Sequence, residues 1–269
     1  DGTPKILEFN ADTPTSLLEA SVIQWQWKED VFPECDQFNG IHEGLVQSWK
    51  DIFPKKGEIH FAGALENNED TGTLQYLAST AMEAGFSTRV LDMQALDLQN
   101  GRFFDPAGEL VNRCFKLYPW EWMVDESPDG CLAEMEWLEP IWKLVMSNKA
   151  ILATLYELFP DSPYVLPCYL SRPRSGLFCK KPVFSREGHN VSVVDIRDWE
   201  EYVRIAETEG DYNTGAYVYQ EYVEPTVYSG RYPVIGSWII GGEAAGIGIR
   251  ENRMEVTDNL SEFVPHIIG

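Results

Sequence analysis

The sequence has few basic residues for its length, and this shortage excludes several classes of partner. Its 269 residues include 21 Lys and Arg against 43 Asp and Glu, so the formal net charge is −22. A nucleic-acid binder presents a basic face to phosphates, and a protein of anionic membrane surfaces carries basic clusters. We therefore expect neither partner. The acidic field suits a cationic partner such as a polyamine or a basic peptide, or serves solubility alone.

Long apolar runs, paired cysteines and clustered histidines are also missing. No run reaches the roughly 20 apolar residues that a transmembrane helix needs, and no signal peptide is visible. The five cysteines are odd in number and contain no Cys-x-x-Cys, which is typical of reduced thiols in a cytosol. The four histidines show no metal-ligand spacing. These absences predict a cytoplasmic protein without disulfides.

The apolar pattern predicts a mixed α and β fold. Ser16 and Glu19 form a capping-box pattern, which predicts a helix over 16–28. A strand over 58–65, a helix over 71–84 and a strand over 87–93 form a βαβ unit, whose strands pair in parallel. Apolar periodicity predicts further strands and helices. The strands are 113–118, 178–184, 217–223, 232–240 and 244–250, and the helices are 137–146 and 149–158. Gly241-Gly242 marks a hairpin turn between the last two strands.

The balance of helix and strand changes near Pro160. We expect an α/β region over 1–160 and a mostly antiparallel region over 161–269, together forming one catalytic unit. The first strand follows directly after Asp1-Gly2-Thr3-Pro4. This abrupt start leads us to expect further residues upstream.

Glu8 and Asn10 are the candidate metal ligands. They stand two apart after the apolar pair Ile6-Leu7, and residues two apart in a strand share a face. A carboxylate and an amide oxygen can then converge on Mg²⁺, which needs only one or two carboxylates beside substrate phosphates. The alternative is a solvated strand end.

Two lysines are candidate phosphate ligands. Lys149 starts a predicted helix, and Lys181 ends a predicted strand. Both can hold nucleotide phosphates as point charges, or both are ordinary surface lysines. Lys180 must point away from Lys181 in a strand, so only one of the two can enter a site.

A short polar loop with Arg186 and Gly188 follows Lys181. Glycine permits close backbone approach to phosphates, and Arg186 would stabilise charge on a transferring phosphoryl group. A plain hairpin loop is the alternative.

Two later segments complete the candidates. Gln220 and Glu221 end an apolar strand, where they can bind an adenine edge or simply form an amphipathic strand. The glycine-dense segment 241–250 is not a dinucleotide fingerprint, because no helix follows it. It delivers Arg250 at the end of its strand.

In order, these stretches resemble the glutathionylspermidine synthase family of ATP-grasp ligases, especially its stand-alone bacterial acid–amine ligases. The resemblance spans nearly the whole chain. The motifs that carry it are residues 8–20 (EFNADTPTSLLEA), 24–27 (QWQW), 118–122 (YPWEW), 147–152 (SNKAIL), 181–182 (KP), 236–242 (GSWIIGG) and 245–251 (AGIGIRE).

The resemblance implies an α+β ATP-grasp fold in the circularly permuted order of glutathione synthases, with an α/β (βαβ) subdomain. It assigns roles to matching positions. The metal ligands are Glu8 and Asn10, the nucleotide lysines are Lys149 and Lys181, the acid-substrate hydroxyls are Thr13 and Thr15, the amine-side residue is Glu121, and the catalytic arginines are Arg186 and Arg250.

The implied reaction is ATP- and Mg²⁺-dependent amide formation, of the EC 6.3.1 type. A substrate carboxylate attacks the γ-phosphate of ATP, and an amine then displaces phosphate from the acyl phosphate. The family's site also uses an Asp and an Arg from a strand before Glu8, which supports the expectation of residues upstream. The alternatives are a degenerate ATP-grasp module that binds a peptide or polyamine, and an ATP-dependent phosphotransferase.

Overall fold

The structure is a computed structural model that describes residues 2–186, 188–197, 202–210, 212, 215–254 and 261–269. The helices are α1 (Gln24–Val31), α2 (Ile41–Ile52), α3 (Asn68–Glu83), α4 (Trp120–Glu126), α5 (Pro128–Cys131), α6 (Lys143–Ser147) and α7 (Ile151–Leu158). A π-helical turn over Glu19–Ile23 precedes α1, and a 3₁₀ turn spans Met93–Ala95. None of the described helices combines the length and the apolarity needed to cross a bilayer.

The strands belong to four sheets. They are β1 (Glu58–Gly63), β2 (Ser87–Asp92), β3 (Asp97–Gln99), β4 (Arg102–Phe104), β5 (Leu110–Val111), β6 (Arg113–Leu117), β7 (Glu136–Leu138), β8 (Cys168–Tyr169), β9 (Gly176–Pro182), β10 (Ser192–Ile196), β11 (Tyr202–Glu207), β12 (Tyr217–Glu221), β13 (Tyr232–Ile240), β14 (Glu243–Asn252) and β15 (Glu262–Val264).

Contacts within the chain define two compact units. One consists of residues 11–144, 235–249 and 263–269, and we call it the parallel-sheet unit. The other consists of residues 1–10, 145–234 and 250–262, and we call it the antiparallel-sheet unit. Both units are discontinuous in sequence.

The parallel-sheet unit is built on a four-stranded sheet in the order β2-β1-β6-β7, with every pair parallel. Its central strands are buried on both faces, which is why they read as nearly continuous apolar runs. Ile59 and Phe61 point to one face, where they join a core that includes Trp49 of α2 and Leu74 of α3. Ala62 belongs to the core on the other face.

Gly63 ends β1 at the closest approach between strand and helix. A Cβ atom there would lie 2.9 Å from Leu74 Cδ1 and 3.0 Å from the carbonyl oxygen of Leu117. Both distances are shorter than ordinary carbon contacts, so α3 can pack this closely only over glycine. Gly63 therefore allows α3 to pack closely on the carboxyl end of β1.

The antiparallel-sheet unit is built on a five-stranded sheet in the order β11-β10-β9-β12-β8, with antiparallel pairing throughout. Helix α7 covers part of one face, where Leu152 and Ala153 pack with Cys168 and Val218. This packing sets the start of α7, and with it Lys149, against the end of β9.

Several predicted elements are confirmed. The strand–helix–strand segment over 58–93 is observed as β1, α3 and β2, with β1 parallel to β2. Strand β13 has its predicted limits. Gly241 and Gly242 have φ angles of 62° and 90°, as the two central residues of a tight hairpin turn require.

Two predicted helices are wrong in part. Ser16 has a φ of 61°, so it cannot adopt the extended conformation of an N-cap residue, and the first turns are π-helical. The helix predicted over 137–146 begins only at Lys143. Trp137 lies in β7 instead, because its ring packs edge-on against Phe103 and Trp120 at centroid distances of 5.5 and 5.8 Å.

Candidate active site

The residues predicted to form the site fall into two groups, one in each unit. The antiparallel-sheet unit contains Glu8, Asn10, Lys149, Lys181, Arg186, Gln220, Glu221 and Arg250. The parallel-sheet unit contains Thr13, Thr15 and Glu121.

Lys149 is held at the start of α7 by its own backbone and side chain. Its N–H donates to the carbonyl of Val183 at 2.9 Å, which ties the helix start to the end of β9. Its ammonium donates to the carbonyl of Ser185 at 2.7 Å and lies 3.3 Å from the carboxylate of Glu8. The side chain is 7% exposed. Lys149 is therefore a buried, fixed cation beside a carboxylate.

Lys181 approaches the same segment from β9. Its ammonium donates to the carbonyl of Leu7 at 2.8 Å and to the side-chain oxygen of Gln220 at 2.7 Å. The amide nitrogen of Gln220 in turn donates to the carbonyl of Ile6 at 2.8 Å. Lys149 and Lys181 thus converge on the segment that carries Glu8.

The segment over 6–10 is not a strand, contrary to expectation. It is held by side chains of the sheet and by one backbone bond, from the N–H of Ile6 to the carbonyl of Tyr164 at 2.9 Å. The side chains of Glu8 and Asn10 are nevertheless close, since the amide of Asn10 helps to lower the pKa of the Glu8 carboxylate. Both side chains keep exposed surface that a ligand can reach.

The charges in this cluster shift the pKa values of Glu8 and Lys149. Loss of solvent alone would raise the pKa of Glu8, but the ammonium groups of Lys149 and Lys181 outweigh it and hold that pKa below its ordinary value. Burial lowers the pKa of Lys149, with smaller contributions from Lys181 and Arg186, while Glu8 opposes the shift. The carboxylate of Glu8 is thus stabilised in its charged form at neutral pH.

Adjacent lysines of β9 face opposite sides of the sheet, as predicted. Lys180 lies over the ring of Tyr217, with its ammonium 3.8 Å from the ring centroid. Lys181 is 7% exposed and points to the face of Gln220. Lys180 therefore provides a natural control for Lys181.

Arg186, Glu221 and Arg250 are the remaining predicted residues of this unit. Arg186 is close enough to Lys149 to depress its pKa. Ser185, just before it, is 9% exposed, and its hydroxyl has no hydrogen-bond partner among the described residues. Glu221 is exposed at the end of β12, and Arg250 is half-buried in β14.

The second group is organised by a buried ion pair that the sequence argument missed. Asp12 accepts from the ammonium of Lys116 at 2.5 Å and from the backbone N–H of Trp120 at 2.7 Å. Thr13 follows Asp12 and is 9% exposed, whereas Glu121 follows Trp120 and is half-buried. A lysine inside the apolar run of β6 was the available signal, because a lysine in a buried strand needs an anionic partner.

The residues present fit a magnesium ion as far as their chemistry goes. An exposed carboxylate and an adjacent amide are oxygen donors of the kind Mg²⁺ takes when phosphates and waters supply the other positions. Within the described residues no group of three or more His, Cys, Asp or Glu side chains is arranged to hold a metal. Glu8 and Asn10 alone would form only a partial site, whose other ligands would have to be phosphate oxygens and waters.

A cavity of about 590 Å³ lies elsewhere in the parallel-sheet unit, at the amino ends of β1, β6 and β7. Glu58, His60, Arg113 and Glu136 contribute to its lining. It contains none of the predicted site residues, and ligands of open α/β sheets bind at the carboxyl ends of strands. We do not assign the cavity to the reaction.

Together these sheets define a mixed α/β protein. One solved structure with a similar fold is that of a "Putative gamma-glutamylcysteine synthetase" from Methylobacillus flagellatus. It aligns with a TM-score of 0.58 over 84% of this chain and 72% of that one, at 11% identity. At this identity the likeness shows the fold alone.

The chain belongs to the family described as glutathionylspermidine synthase preATP-grasp, whose profile matches residues 1–269. It is 38% identical to a "Putative acid--amine ligase" of Haemophilus influenzae, over 97% of this chain and 70% of the relative. It is 28% identical to trypanothione synthetase of Crithidia fasciculata, over 96% of this chain and 44% of the relative.

A third relative is the bifunctional glutathionylspermidine synthetase/amidase of Escherichia coli, at 26% identity over 98% of this chain and 47% of the relative. The chain thus spans less than half the length of the last two relatives. The expected family is confirmed.

Proposed function

We propose that this chain is part of an ATP- and Mg²⁺-dependent ligase. The ligase joins a carboxylic acid to an amine through an acyl phosphate. The observation that carries the proposal is the convergence of Lys149 and Lys181 on the segment of Glu8. Arg186 adds a third cation near Lys149. The two ammonium groups of Lys149 and Lys181 beside one carboxylate leave a local positive surplus in a chain of net charge −22.

This surplus suits a polyphosphate. Buried ammonium groups are strong partners for phosphate oxygens, because little water screens them. In the proposed complex, phosphate oxygens take over hydrogen bonds that Lys149 and Lys181 now give to Ser185, Leu7 and Gln220. Gln220 and Glu221 stay proposed ATP contacts at the end of β12.

Glu8 and Asn10 are the proposed ligands of Mg²⁺. When bound, the ion would neutralise charge on the β- and γ-phosphates. The low pKa of Glu8 keeps its carboxylate charged and ready for this role at neutral pH.

The proposed chemistry has two steps. The carboxylate oxygen of the acid attacks the γ-phosphorus of ATP, the bond to the bridging oxygen breaks, and ADP leaves. The amine nitrogen then attacks the acyl carbon, phosphate leaves, and the amine loses a proton. Arg186 and Arg250 are proposed to stabilise negative charge during the transfer.

The proposed substrates follow from the relatives. Two of these are named for glutathionylspermidine and trypanothione synthesis. We propose a small peptide or amino-acid carboxylate as the acid, bound near Thr13 and Thr15, and a polyamine or similar amine near Glu121. The proposed location is the cytoplasm.

Hydroxylamine tests the proposal, because it traps acyl phosphates as hydroxamates. The purified chain is incubated with MgATP, hydroxylamine and a panel of acids that starts with glutathione, glycine and glutamate. ATP-dependent hydroxamate is the expected product. ADP release without hydroxamate would favour a phosphotransferase, and absence of nucleotide binding would favour a binding module.

Arg186→Ala is the matching variant. It should leave ATP affinity within about twofold and lower turnover by roughly 10²-fold, as loss of one charge-stabilising donor does. Arg174→Ala, in the same unit but outside the cluster, serves as the control for a lost arginine charge. Unchanged turnover of the Arg186 variant would remove this residue from the mechanism.

A further inference from the structure

Asp12 and Lys116 form an ion pair without access to solvent. Their side chains are 1% and 0% exposed, and the ammonium of Lys116 lies 2.5 Å from the carboxylate. The same ammonium donates to the carbonyl of Tyr118 at 2.8 Å and lies 4.3 Å from the centre of the Trp120 ring. Two charges are thus buried at the carboxyl end of β6.

Stability does not explain this arrangement. The desolvation of a buried ion pair largely cancels its attraction, and an apolar pair of similar volume is often as stable or more so. What an apolar pair cannot reproduce is direction. The two oxygens of Asp12 fix one segment to the side chain of Lys116 and to the backbone of Trp120 at the same time.

The two segments joined in this way are those that carry the proposed substrate contacts. Asp12 is followed by Thr13 and Thr15, and Trp120 is followed by Glu121. Trp120 is the first residue of α4 and is 0% exposed, so its N–H has a fixed direction. This hydrogen bond therefore joins the acid-side segment directly to the amine-side segment.

We propose that Asp12 is a positioning residue that aligns the two substrate segments of the ligase. Lys116 supplies the charge that lets this carboxylate be buried, and the carboxylate holds the N–H of Trp120. Reaction rates depend steeply on such alignment, because displacement of a reacting group by about 1 Å costs roughly 10²-fold in rate. The inference rests on the proposed function and extends it to residues that touch no reacting atom.

A matched pair of double variants tests the role. Both carry Lys116→Met, which removes the buried ammonium. One also carries Asp12→Asn, whose amide oxygen still accepts from the N–H of Trp120. The other carries Asp12→Leu, which has a similar volume but no acceptor. The two proteins differ only at position 12, where the Leu side chain lacks an acceptor for the N–H of Trp120.

The measured quantity is the KM for the acid, obtained from the rate of hydroxamate formation at varied acid concentration. The acid used is the best substrate of the panel that begins with glutathione. Asp12→Leu with Lys116→Met should raise this KM about tenfold, as loss of one buried hydrogen bond predicts. Asp12→Asn with Lys116→Met should stay within about threefold of the unmodified protein. The KM for ATP should be unchanged in both, because the proposed nucleotide residues belong to the antiparallel-sheet unit.

Trp49→Phe controls for lost stability in the same unit. It removes a buried bond of 2.8 Å from the Trp49 indole to the hydroxyl of Thr80, far in sequence from the substrate segments. It should lower stability without raising the KM for the acid. If Asp12→Leu does not fold with Lys116→Met, Asp12→Ala takes its place and adds no bulk.

Three results overturn the inference. The first is that the Leu and Asn double variants have the same KM for the acid. The second is that the KM for ATP rises together with the KM for the acid. The third is that Trp49→Phe raises the KM for the acid as much as the Leu double variant does. A further result distinguishes failure of the proposed function from failure of the positioning role alone. If the unmodified protein makes no hydroxamate from any acid, the proposed function falls and the positioning role falls with it.

Discussion

Gln220 and Lys181 share a hydrogen bond of 2.7 Å inside the antiparallel-sheet unit. The other end of the same amide donates to the carbonyl of Ile6 at 2.8 Å, and the residue is 2% exposed. The amide therefore links β9 to the segment that carries Glu8. An adenine contact through this side chain would require one of these bonds to be exchanged.

Replacement of Gln220 should destabilise the fold. Gln220→Leu leaves the carbonyl of Ile6 and part of the Lys181 ammonium without a partner, so we expect the free energy of unfolding to fall by about 1–3 kcal/mol. Urea unfolding measures this loss in the free energy of unfolding. The exposed pair of Gln26 and Asp30 offers the control, since Gln26→Leu should change stability by less than about 0.5 kcal/mol. Equal losses in both variants would contradict the importance of the buried amide.

Nucleotide affinity should depend on Lys181 and not on its neighbour. Lys181→Ala should weaken MgADP binding by about 10- to 100-fold, because a hydrogen bond to a charged group contributes about 1.5–3 kcal/mol. Lys180→Ala should have no effect, since that ammonium lies over Tyr217. Titration calorimetry measures the affinity of both variants for MgADP. A similar loss for Lys180→Ala would mean that only overall charge matters.

The charge of Glu8 should control the pKa of Lys149. Burial lowers that pKa and the Glu8 carboxylate raises it, so Glu8→Gln should lower it further. The shift can be followed by NMR of the Lys149 side chain across pH. Glu157→Gln removes an exposed carboxylate of the same unit and should leave the titration unchanged. An unchanged pKa in Glu8→Gln would contradict the ion pair.

Stability should fall in mild acid because of His60. Burial lowers the pKa of this ring, Arg89 acts in the same direction, and the carboxylates of Glu58 and Asp105 oppose it. The unfolded ring takes up a proton near its ordinary pKa of about 6.5, before the folded ring does. Stability is thus complete above about pH 6.5 and is lost as pH falls towards the folded pKa.

Urea unfolding between pH 7.5 and 5.5 measures this slope. His60→Gln should flatten it, because the side chain no longer titrates. His42→Gln, which alters a half-exposed ring paired with Glu83, should keep it. An unchanged slope in His60→Gln would assign the effect to other groups.

Local pattern predicted those elements whose signals are local. β13 was found with its limits because its aromatic and β-branched residues end at Gly241-Gly242, a pair that favours a tight turn. The opposite directions of Lys180 and Lys181 followed from the pleat of a strand. Trp137 was misplaced because its strand depends on Phe103 and Trp120, which no periodicity around residue 137 reveals.

In the candidate site, too, local signals could be predicted from the sequence and contacts between distant residues could not. Glu8 and Asn10 were paired by their spacing, and the amide of Asn10 is near enough to lower the pKa of Glu8, although no strand holds them. The bond from Gln220 to Ile6 spans 214 positions, and the pair of Asp12 and Lys116 spans 104. Such partners become visible only when the chain is folded, so the two lysines could be placed beside Glu8 from the sequence only through the family's order of motifs.

The interleaving of the two units has a consequence for synthesis. The chain passes from one unit to the other at residues 10/11, 144/145, 234/235, 249/250 and 262/263. Each unit needs three segments that are separated by segments of the other, so neither unit is completed before synthesis of the other has begun. An expression strategy that cuts the gene between the units has no single place to cut.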